Sequence, residues 1–395
     1  MKILRSRVRV LRGWLLLLVM LVGVIALASC AGGIPARGWS GPTLEDNTLY
    51  VGTRDGRLVA ISATDGTILW SSATIEAGRS SSPLGCSGGA ISAVFYGSPA
   101  VSDSQVYIGA YAGNPGIVYS FVQGDSQPDR TLTSVRVGDK DVAIGAIVGS
   151  AVLGGGDLFF GDSNGRVYGL NDRLQPLWAD PFKTDGKIWS TPAFDNGTVY
   201  IGSFDRKLYA LDANTGQAKW EFLANGVFVS TPLVSNGVVY AGSFDRRLYA
   251  IDATSGLEKW HFEARQGFWA QPVIYNGNIY AASLDGRVYV LSAASGEKLA
   301  EVDLGAPVSS SPAMVGETLV VATEQSPGNA TDKAGAVLWA INTTTYQGAP
   351  LARLTGEKVH GPLAGGNGSA FVHTDRDFIY AVNASTGVVT QFNTK

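Results

Sequence analysis

The sequence predicts an all-β fold, an eight-bladed β-propeller whose blades are four-stranded antiparallel sheets. The main observation is a forty-residue repeat, whose two clearest copies are STPAFDNGTVYIGSFDRKLYALDANTGQAKWEFLA from Ser190 and STPLVSNGVVYAGSFDRRLYAIDATSGLEKWHFEA from Ser230. A fixed period of this length indicates a repeat architecture. Each copy also contains four short segments separated by turns, which is the strand content of one propeller blade.

Eight copies of the repeat can be counted from the eight residues that separate Pro192 from Tyr200 and Pro232 from Tyr240. Five copies keep this Pro-to-Tyr spacing, the copies near residues 150 and 310 keep it with substitutions, and the last keeps it after one inserted residue. The units start near residues 40, 97, 150, 190, 230, 270, 310 and 360. One such sheet cannot bury both of its faces alone, so each blade is expected to pack on its neighbours in a closed ring. We therefore predict that the propeller spans residues 38–395.

The first residues have the features of an export signal and are excluded from the predicted fold. The basic start contains Lys2, Arg5, Arg7, Arg9 and Arg12. An apolar run follows over 14–27, and Leu27-Ala28-Ser29-Cys30 resembles the lipobox of bacterial lipoproteins, in which the cysteine is lipid-modified. We predict a signal peptide over 1–29, lipidation of Cys30 and a short tether over 30–37. An uncleaved transmembrane anchor is the alternative, although the run is short for a span.

Both interpretations place the domain outside the cytoplasm, anchored to a bacterial membrane. Without the five basic residues of the leader, 25 Lys and Arg remain against 33 Asp and Glu, a net charge of −8. An acidic domain has no general attraction for nucleic acid, which is therefore not expected as a partner. With Cys30 lipidated, Cys86 is the one remaining cysteine, so no intrachain disulfide is expected.

A tryptophan ends the pattern in four units, at Trp70, Trp178, Trp220 and Trp260. In three of these units it follows a turn glycine by four residues, at Gly66, Gly216 and Gly256. The DxxTGxxxW arrangement resembles the tryptophan-docking motif of the pyrroloquinoline-quinone-like propeller repeats. The resemblance implies that each indole wedges between adjacent blades and packs on glycine backbone. The last three units lack this tryptophan and have Ala300, Gln391 and the stretch near Tyr346 instead, so we expect looser packing there.

The resemblance extends to quinoprotein dehydrogenases, whose active sites have adjacent cysteines and a calcium ion. This chain has no adjacent cysteine pair, and its three histidines, His261, His360 and His373, are not at metal-ligand spacing. The Asp residues that recur in the inner turns are interpreted as turn residues. We therefore expect no cofactor, no metal and no enzymatic activity. A quinoprotein dehydrogenase-like enzyme and a carbohydrate-binding or sensor propeller remain the alternatives.

A candidate binding face is predicted from the residues that precede the repeat proline, where each innermost strand begins. Aromatic side chains and one histidine occupy this place at Trp39, Tyr96, Trp189, Phe228, Phe268, Trp269 and His360. Rings that converge on one mouth of the propeller would favour a partner or ligand. The alternative is that these rings pack under the neighbouring blade. Insertions over 76–98, 123–148 and 324–335 are further candidates for binding loops.

Taken together, these features predict a membrane-anchored scaffold that binds envelope or membrane proteins and is itself a monomeric propeller within a complex. The chain is similar to the non-enzymatic lipoprotein branch of the repeat family, which includes the lipoprotein subunit of the outer-membrane β-barrel assembly machinery. The resemblance implies a role in envelope protein assembly. It supplies no local motif through which individual contact residues could be carried over.

Overall fold

Residues at positive φ close the hairpins between the first two strands of the central blades. Asn196 and Gly197 have φ of 45° and 70°, and the pair recurs at Asn236–Gly237 and Asn276–Gly277. Two successive positive φ angles define the type I′ turn, whose twist matches that of an antiparallel hairpin. The Asn-Gly pair thus determines where the first strand of the blade ends and the second begins.

The computed structural model describes residues 38–81, 87–111, 115–325 and 334–395. The chain divides into two compact units, Met1–Gly38 and Trp39–Lys395, and the second contains all of the described strands. The predicted signal peptide, the tether, Cys30 and Cys86 lie outside the described residues. Within the described ranges, no helix has the length and apolar composition needed to cross a bilayer.

The predicted eight-bladed propeller is confirmed, since eight antiparallel sheets of the described chain follow one another in sequence. Blade 1 contains β1 (Thr43–Glu45), β2 (Thr48–Gly52), β3 (Leu58–Ser62) and β4 (Ile68–Ser71). A hairpin outside the blades follows, with β5 (Glu76–Ser81) and β6 (Ser87–Ser92). Blade 2 contains β7 (Val94–Phe95), β8 (Ala100–Val101), β9 (Gln105–Tyr111), β10 (Gly116–Val122) and β11 (Arg130–Leu132). A second separate hairpin has β12 (Ser134–Val137) and β13 (Lys140–Ala143).

Blades 3 to 8 each use four consecutive strands that hydrogen-bond in chain order. Blades 3 and 4 contain β14 (Val152–Gly154), β15 (Asp157–Gly161), β16 (Arg166–Leu170), β17 (Phe182–Lys183), β18 (Ala193–Asp195), β19 (Thr198–Gly202), β20 (Lys207–Asp212) and β21 (Ala218–Leu223). Blades 5 and 6 contain β22 (Leu233–Ser235), β23 (Val238–Gly242), β24 (Arg247–Asp252), β25 (Glu258–Glu263), β26 (Val273–Tyr275), β27 (Asn278–Ala282), β28 (Arg287–Ser292) and β29 (Lys298–Asp303). Blades 7 and 8 contain β30 (Ala313–Val315), β31 (Thr318–Gln325), β32 (Gly335–Asn342), β33 (Gly348–Thr355), β34 (Ala364–Gly366), β35 (Ser369–His373), β36 (Phe378–Asn383) and β37 (Val389–Asn393).

Alternation along the third strand of a blade divides its side chains between the two neighbouring blades. In β20, Tyr209 and Leu211 are buried on one side with Phe159 of blade 3. Leu208 lies on the other side, in a core shared with Val239 of blade 5. Each of the eight seams between blades holds one such apolar cluster. Burial of apolar side chains at every seam therefore stabilises the ring as a whole.

The ring closes between blades 1 and 8. The strands of these two blades form separate sheets, so no strand pairing joins them and closure depends on side-chain contacts. His373 is buried at this seam, where its Nδ1–H donates to Ser40 O at 2.7 Å and its Nε2 lies 3.0 Å from Asp377 Oδ1. The same Asp377 oxygen accepts a hydrogen bond from the backbone N–H of Arg54, at 3.1 Å. A buried polar network thus joins the last blade to the first.

Candidate functional site

One end of the propeller brings together the segments that lead into the blades. In blade 4, Ala193 pairs with Tyr200 and Lys207 pairs with Leu223. This register places the residues before β18, the turn from β19 to β20 and the end of β21 at the same end of the sheet. We name the residues just before each first strand, such as 187–191, the lead-in segments, and this end of the ring the lead-in face.

Three of the predicted binding residues meet on the lead-in face near the closure of the ring. The ring centroids of Trp39 and Tyr96 lie 4.6 Å apart in a T-shaped arrangement with an interplanar angle of 68°. The centroids of Trp39 and His360 lie 6.3 Å apart. These residues belong to the lead-in segments of blades 1, 2 and 8. Blades 1 and 2 follow each other in the chain, whereas blade 8 adjoins blade 1 only because the ring closes.

Glu324 completes this group, which we name the mouth cluster: Trp39, Tyr96, His360 and Glu324. His360 Nδ1 lies 3.2 Å from Glu324 Oε1. That oxygen is buried and has no hydrogen-bond partner in the described part of the chain. The sequence marked 324–335 only as an insertion. Its first residue reaches the cluster because β31 is eight residues long, against five for β19.

Two more predicted residues, Trp189 and Trp269, each pack on a phenylalanine from a neighbouring turn. The Trp189 and Phe204 rings are 4.7 Å apart at 67°, and the Trp269 and Phe244 rings are 5.9 Å apart at 40°. All four rings are half-buried on the lead-in face. We name these two contacts the turn pairs. The sequence does not single out these phenylalanines, because the Phe-Asp-Arg segments predict only tight turns.

The turn pairs are flanked by arginines in a left-handed backbone conformation. Arg206 and Arg246 have φ of 73° and 76°, and both are exposed. Glycine occupies the equivalent place in blades 1, 3 and 6, at Gly56, Gly165 and Gly286. A non-glycine residue in this conformation costs about 1–2 kcal/mol. Blades 4 and 5 therefore present a cation at a position where the backbone itself favours glycine.

Phe228 and Phe268, also predicted on the binding face, lie in the interior instead. Each is 1% exposed and belongs to a core between blades. A Cβ on Gly202 would lie 2.5 Å from the Phe228 Cβ, so the ring packs directly on glycine backbone. The prediction that Phe228 and Phe268 line the binding face is therefore wrong. Both rings pack against the neighbouring blade, which was the alternative.

The tryptophans of the repeat pack on the turn glycine of the next blade. A Cβ on Gly216 would lie 2.5 Å from Trp178, and a Cβ on Gly256 would lie 2.8 Å from Trp220. Each indole N–H also donates to a backbone carbonyl of that turn, at 2.8 Å from Trp178 to Ala213 O and 2.9 Å from Trp220 to Ala253 O. Trp260 makes the same contacts with Gly296 and Ala293 O.

The ends of the repeat series use other side chains for this contact. Trp70 packs on Phe121 of blade 2 with ring centroids 5.7 Å apart, and its buried Nε1 has no hydrogen-bond partner among the described residues. Gly66 is covered by Phe392 of blade 8, since a Cβ there would lie 2.2 Å from that ring. In blade 7 the turn position is Tyr346, and Val302 of blade 6 packs on Gly348, two residues further along the chain. The contact between an indole and the turn glycine of the next blade is therefore replaced by other packing at these seams.

The recurring Asp residues hold the turns of the lead-in face. Asp205 Oδ2 accepts hydrogen bonds from the Tyr209 hydroxyl at 2.8 Å and from the Asp185 N–H at 3.0 Å. Its Oδ1 accepts from the Lys207 N–H at 3.0 Å. Burial, together with the nearby Asp205 carboxylate, raises the pKa of Tyr209 above its usual value. The same bonds recur around Asp245 and Asp285, so these carboxylates fasten turn to lead-in segment.

Among the described residues, no three side chains of His, Cys, Asp or Glu are grouped so that they could hold a metal ion. The mouth cluster and the turn pairs instead offer half-buried rings beside charged groups. Such surfaces are suited to contact with a protein, in which aromatic and arginine side chains supply most of the binding energy. The geometry therefore points to recognition of a partner.

Comparison with known proteins gives relatives of the same fold. A curated relative, the outer membrane protein assembly factor BamB of Nitrosomonas eutropha, is 30% identical over 74 residues, which is 19% of this chain and 18% of that protein. The crystal structure of BamB from Moraxella catarrhalis matches with a TM-score of 0.61 and 20% identity, over 89% of this chain and 95% of that chain. The match to the curated relative therefore spans less than a fifth of either protein.

Two further solved structures share the fold. The computationally designed protein Ika8 matches with a TM-score of 0.62 and 15% identity, over 90% of this chain and 96% of that chain. A quinohemoprotein alcohol dehydrogenase from Pseudomonas putida matches with a TM-score of 0.54 and 14% identity, over 74% and 65%. A family model described as outer membrane protein assembly factor BamB matches residues 33–174, 163–272 and 264–389, which is most of the chain. The chain, a propeller of pyrroloquinoline-quinone-like repeats, therefore belongs to the outer membrane protein assembly factor BamB family.

Proposed function

We propose that this protein is an extracytoplasmic lipoprotein, anchored through Cys30, that acts as a protein-binding scaffold in outer-membrane protein assembly. The family supports this role, because the relatives that carry the name are outer membrane assembly factors. The lipobox-like Leu27-Ala28-Ser29-Cys30 supports the anchor. The partners in this proposal are envelope or membrane proteins, and the propeller itself is monomeric within the complex.

The observation that carries the proposal is the pairing of half-buried tryptophan and phenylalanine on two neighbouring parts of the lead-in face. Trp189 with Phe204 and Trp269 with Phe244 each lie beside an exposed Arg at positive φ. Residues held in sparsely populated backbone conformations cluster at binding and active sites, so the two arginines support the proposal. Tryptophan and arginine are also the residues that most often dominate protein interfaces.

The proposal is tested by crosslinking the membrane-anchored, full-length protein in its own cells and identifying the captured proteins by mass spectrometry. Trp189→Ala combined with Trp269→Ala should lower the yield of specific crosslinks by about tenfold or more, because central aromatic residues each contribute about 2 kcal/mol or more to interfaces. The melting temperature of the double variant, measured by circular dichroism, shows whether the ring stays folded.

Leu257→Ala is the matched control, since Leu257 is 70% exposed and lies in a turn at the opposite end of its blade. It removes a comparable apolar side chain and should leave the crosslinks unchanged. A double variant that is folded and captures the same proteins at the wild-type yield would refute the proposed binding face.

The proposed role is not enzymatic, and this part is tested separately. Purified protein supplied with pyrroloquinoline quinone and calcium should not reduce an electron-accepting dye with alcohols or sugars. Dye reduction that depends on the added quinone would establish the dehydrogenase alternative. A melting temperature raised by a small glycan would instead favour the carbohydrate-binding alternative.

A further inference from the structure

A cavity of about 320 Å³ opens at the seam between blades 6 and 7. Blade 6 supplies Leu304 and Ala306 to its wall, just after β29. Blade 7 supplies the rest, which is Thr323, Val337, Trp339, Pro350, Leu351, Ala352 and Arg353. No residue of the mouth cluster or of the turn pairs lines the cavity, and nothing in the proposed scaffold role accounts for it.

The cavity exists because blade 7 departs from the repeat at two paired positions. In blades 4, 5 and 6 the third strand begins with a long basic side chain, at Lys207, Arg247 and Arg287. In blades 5 and 6 the residue paired with it on the outer strand is acidic, at Glu263 and Asp303. Arg287 Nη2 lies 2.5 Å from Asp303 Oδ2.

Blade 7 has Val337 at the basic position, and its partner in the strand register is Arg353. The long side chain that would cover this part of the sheet is therefore replaced by a short one, which leaves space. The charge at the outer strand is also inverted, from a carboxylate to a guanidinium. The ion pair found in blades 5 and 6 is thus absent from blade 7, which instead has an apolar cavity with the Arg353 guanidinium at its edge.

Arg353 is exposed, and within the described residues its guanidinium has no ion pair or hydrogen bond. Arg287, at the equivalent seam of blade 6, contacts both Glu301 and Asp303. An exposed guanidinium beside an apolar hollow matches a carboxylate, which it can bind through two parallel hydrogen bonds. In blades 4 to 6 a carboxylate of the outer strand pairs with the basic side chain, whereas no carboxylate of the described residues pairs with Arg353.

The inner wall of the cavity is aromatic and has no unsatisfied polar atom of its own. Trp339 replaces the tyrosine of blades 4 to 6, and its Nε1–H donates to Thr323 Oγ1 at 3.2 Å. The indole is half-buried, and Leu304 and Val337 beside it are 4% and 6% exposed. A ring or branched hydrocarbon placed here would be in contact with apolar groups on several sides.

We propose that this seam is a binding site for a small amphipathic monocarboxylate. The apolar body lies against Trp339, Leu304 and Val337, and the carboxylate pairs with the Arg353 guanidinium. A cavity of about 150 Å³ holds one benzene ring. The volume here, about 320 Å³, therefore accommodates a fused two-ring body with its carboxylate.

The probe for this site is 2-naphthoate, with 2-naphthamide as its uncharged counterpart. Both are titrated by calorimetry into the full-length protein in lipid nanodiscs, with empty nanodiscs as the blank. The wild type should bind 2-naphthoate saturably at one site. Arg353→Gln should weaken naphthoate binding by about tenfold or more and change naphthamide binding by less than about threefold, because only the charged pair is lost. Arg173→Gln, at an exposed arginine of blade 3, should change neither.

A second variant restores the pattern of the other blades. Val337→Arg combined with Arg353→Glu recreates the pair seen at Arg247 and Glu263, so it should fold with an unchanged or higher melting temperature and bind neither probe. Absence of saturable naphthoate binding to the wild type would overturn the proposal, as would undiminished binding to the folded double variant. If that variant does not fold, the Arg353→Gln comparison decides: equal losses for naphthoate and naphthamide would overturn the proposal.

Discussion

At the scale of single residues, the contact between a tryptophan and the turn glycine of the next blade explains why glycine recurs there. Gly256 has φ of 72°, and a Cβ on it would lie 2.8 Å from the Trp220 ring. Two requirements therefore coincide at this position. The backbone favours glycine, and the indole leaves no room for any side chain.

These two requirements can be separated experimentally. Gly237 has the same φ of 72° but has no atom within 4 Å of its Cβ position. Gly237→Ala should therefore lower the free energy of unfolding by about 1 kcal/mol, from backbone strain alone. Gly256→Ala should lower it by about 1–3 kcal/mol more, because the indole must also move. Urea unfolding measures both, and equal losses would show that the docking contact is not tightly packed.

At the scale of elements, the turn from the second to the third strand is where blades 4 and 5 differ from their neighbours. Blades 1, 3 and 6 have glycine at its positive-φ position, whereas these two blades have Arg206 and Arg246. Arg246 Nη2 lies 2.6 Å from Glu263 Oε1, but the Arg206 guanidinium has no partner in the described chain. Arg206 therefore keeps the backbone strain without a local contact that offsets it.

Arg206→Gly should accordingly stabilise the protein while it weakens function. Relief of the left-handed conformation should raise the free energy of unfolding by about 0.5–1 kcal/mol. The crosslinking yield should fall, because the cation beside Trp189 and Phe204 is lost. Arg206→Lys keeps both the strain and the charge and should retain wild-type stability. Lower stability of Arg206→Gly would contradict the strain argument, and an unchanged crosslinking yield would exclude this turn from the binding surface.

At the scale of the whole molecule, the closure between blades 1 and 8 depends on a buried network around Asp377. Burial alone would raise the pKa of this carboxyl, but the hydrogen bond and charge of His373, the backbone hydrogen bond from Arg54 and the charge of Lys395 together outweigh burial and hold the pKa below its usual value. The folded protein therefore binds a proton here less readily than the unfolded chain. The resulting stabilisation is present above the unfolded pKa and is lost as the pH falls through the lower, folded value.

Asp377→Asn should lower the free energy of unfolding at pH 7 by about 1–3 kcal/mol, since it removes a buried, charge-assisted hydrogen bond. The difference from the wild type should begin to shrink as the pH falls below about 4, the usual pKa of an aspartate, because the unfolded wild-type chain then takes up a proton that the folded carboxyl still resists. Urea unfolding of both proteins from pH 7 to pH 3 measures it. A difference that stays constant over this range would show that the carboxyl charge does not stabilise the closure.

Much of the candidate site could be anticipated from the register of the repeat. Trp189 and Trp269 were predicted on the lead-in face, because residues at one place in the repeat lie at one place in the blade. Phe228 and Phe268 could not be separated from them in this way. A shift of one residue along a lead-in segment turns the side chain from the surface into the seam, and spacing alone does not show which side chain the neighbouring blade covers.

The sequence by itself determined the fold, the number of blades and the turns, because these depend on local patterns that recur in every unit, at a strict forty-residue step in the central ones. Only the tertiary structure decided which of the residues that depart from the repeat lie next to one another. Trp39 and His360 are 321 positions apart and become neighbours through closure of the ring. Likewise, the short side chain of Val337 and the guanidinium of Arg353 line a cavity because residues of blade 6 supply its opposite wall. Contacts between blades depend on the packing of distant segments, which no local pattern specifies.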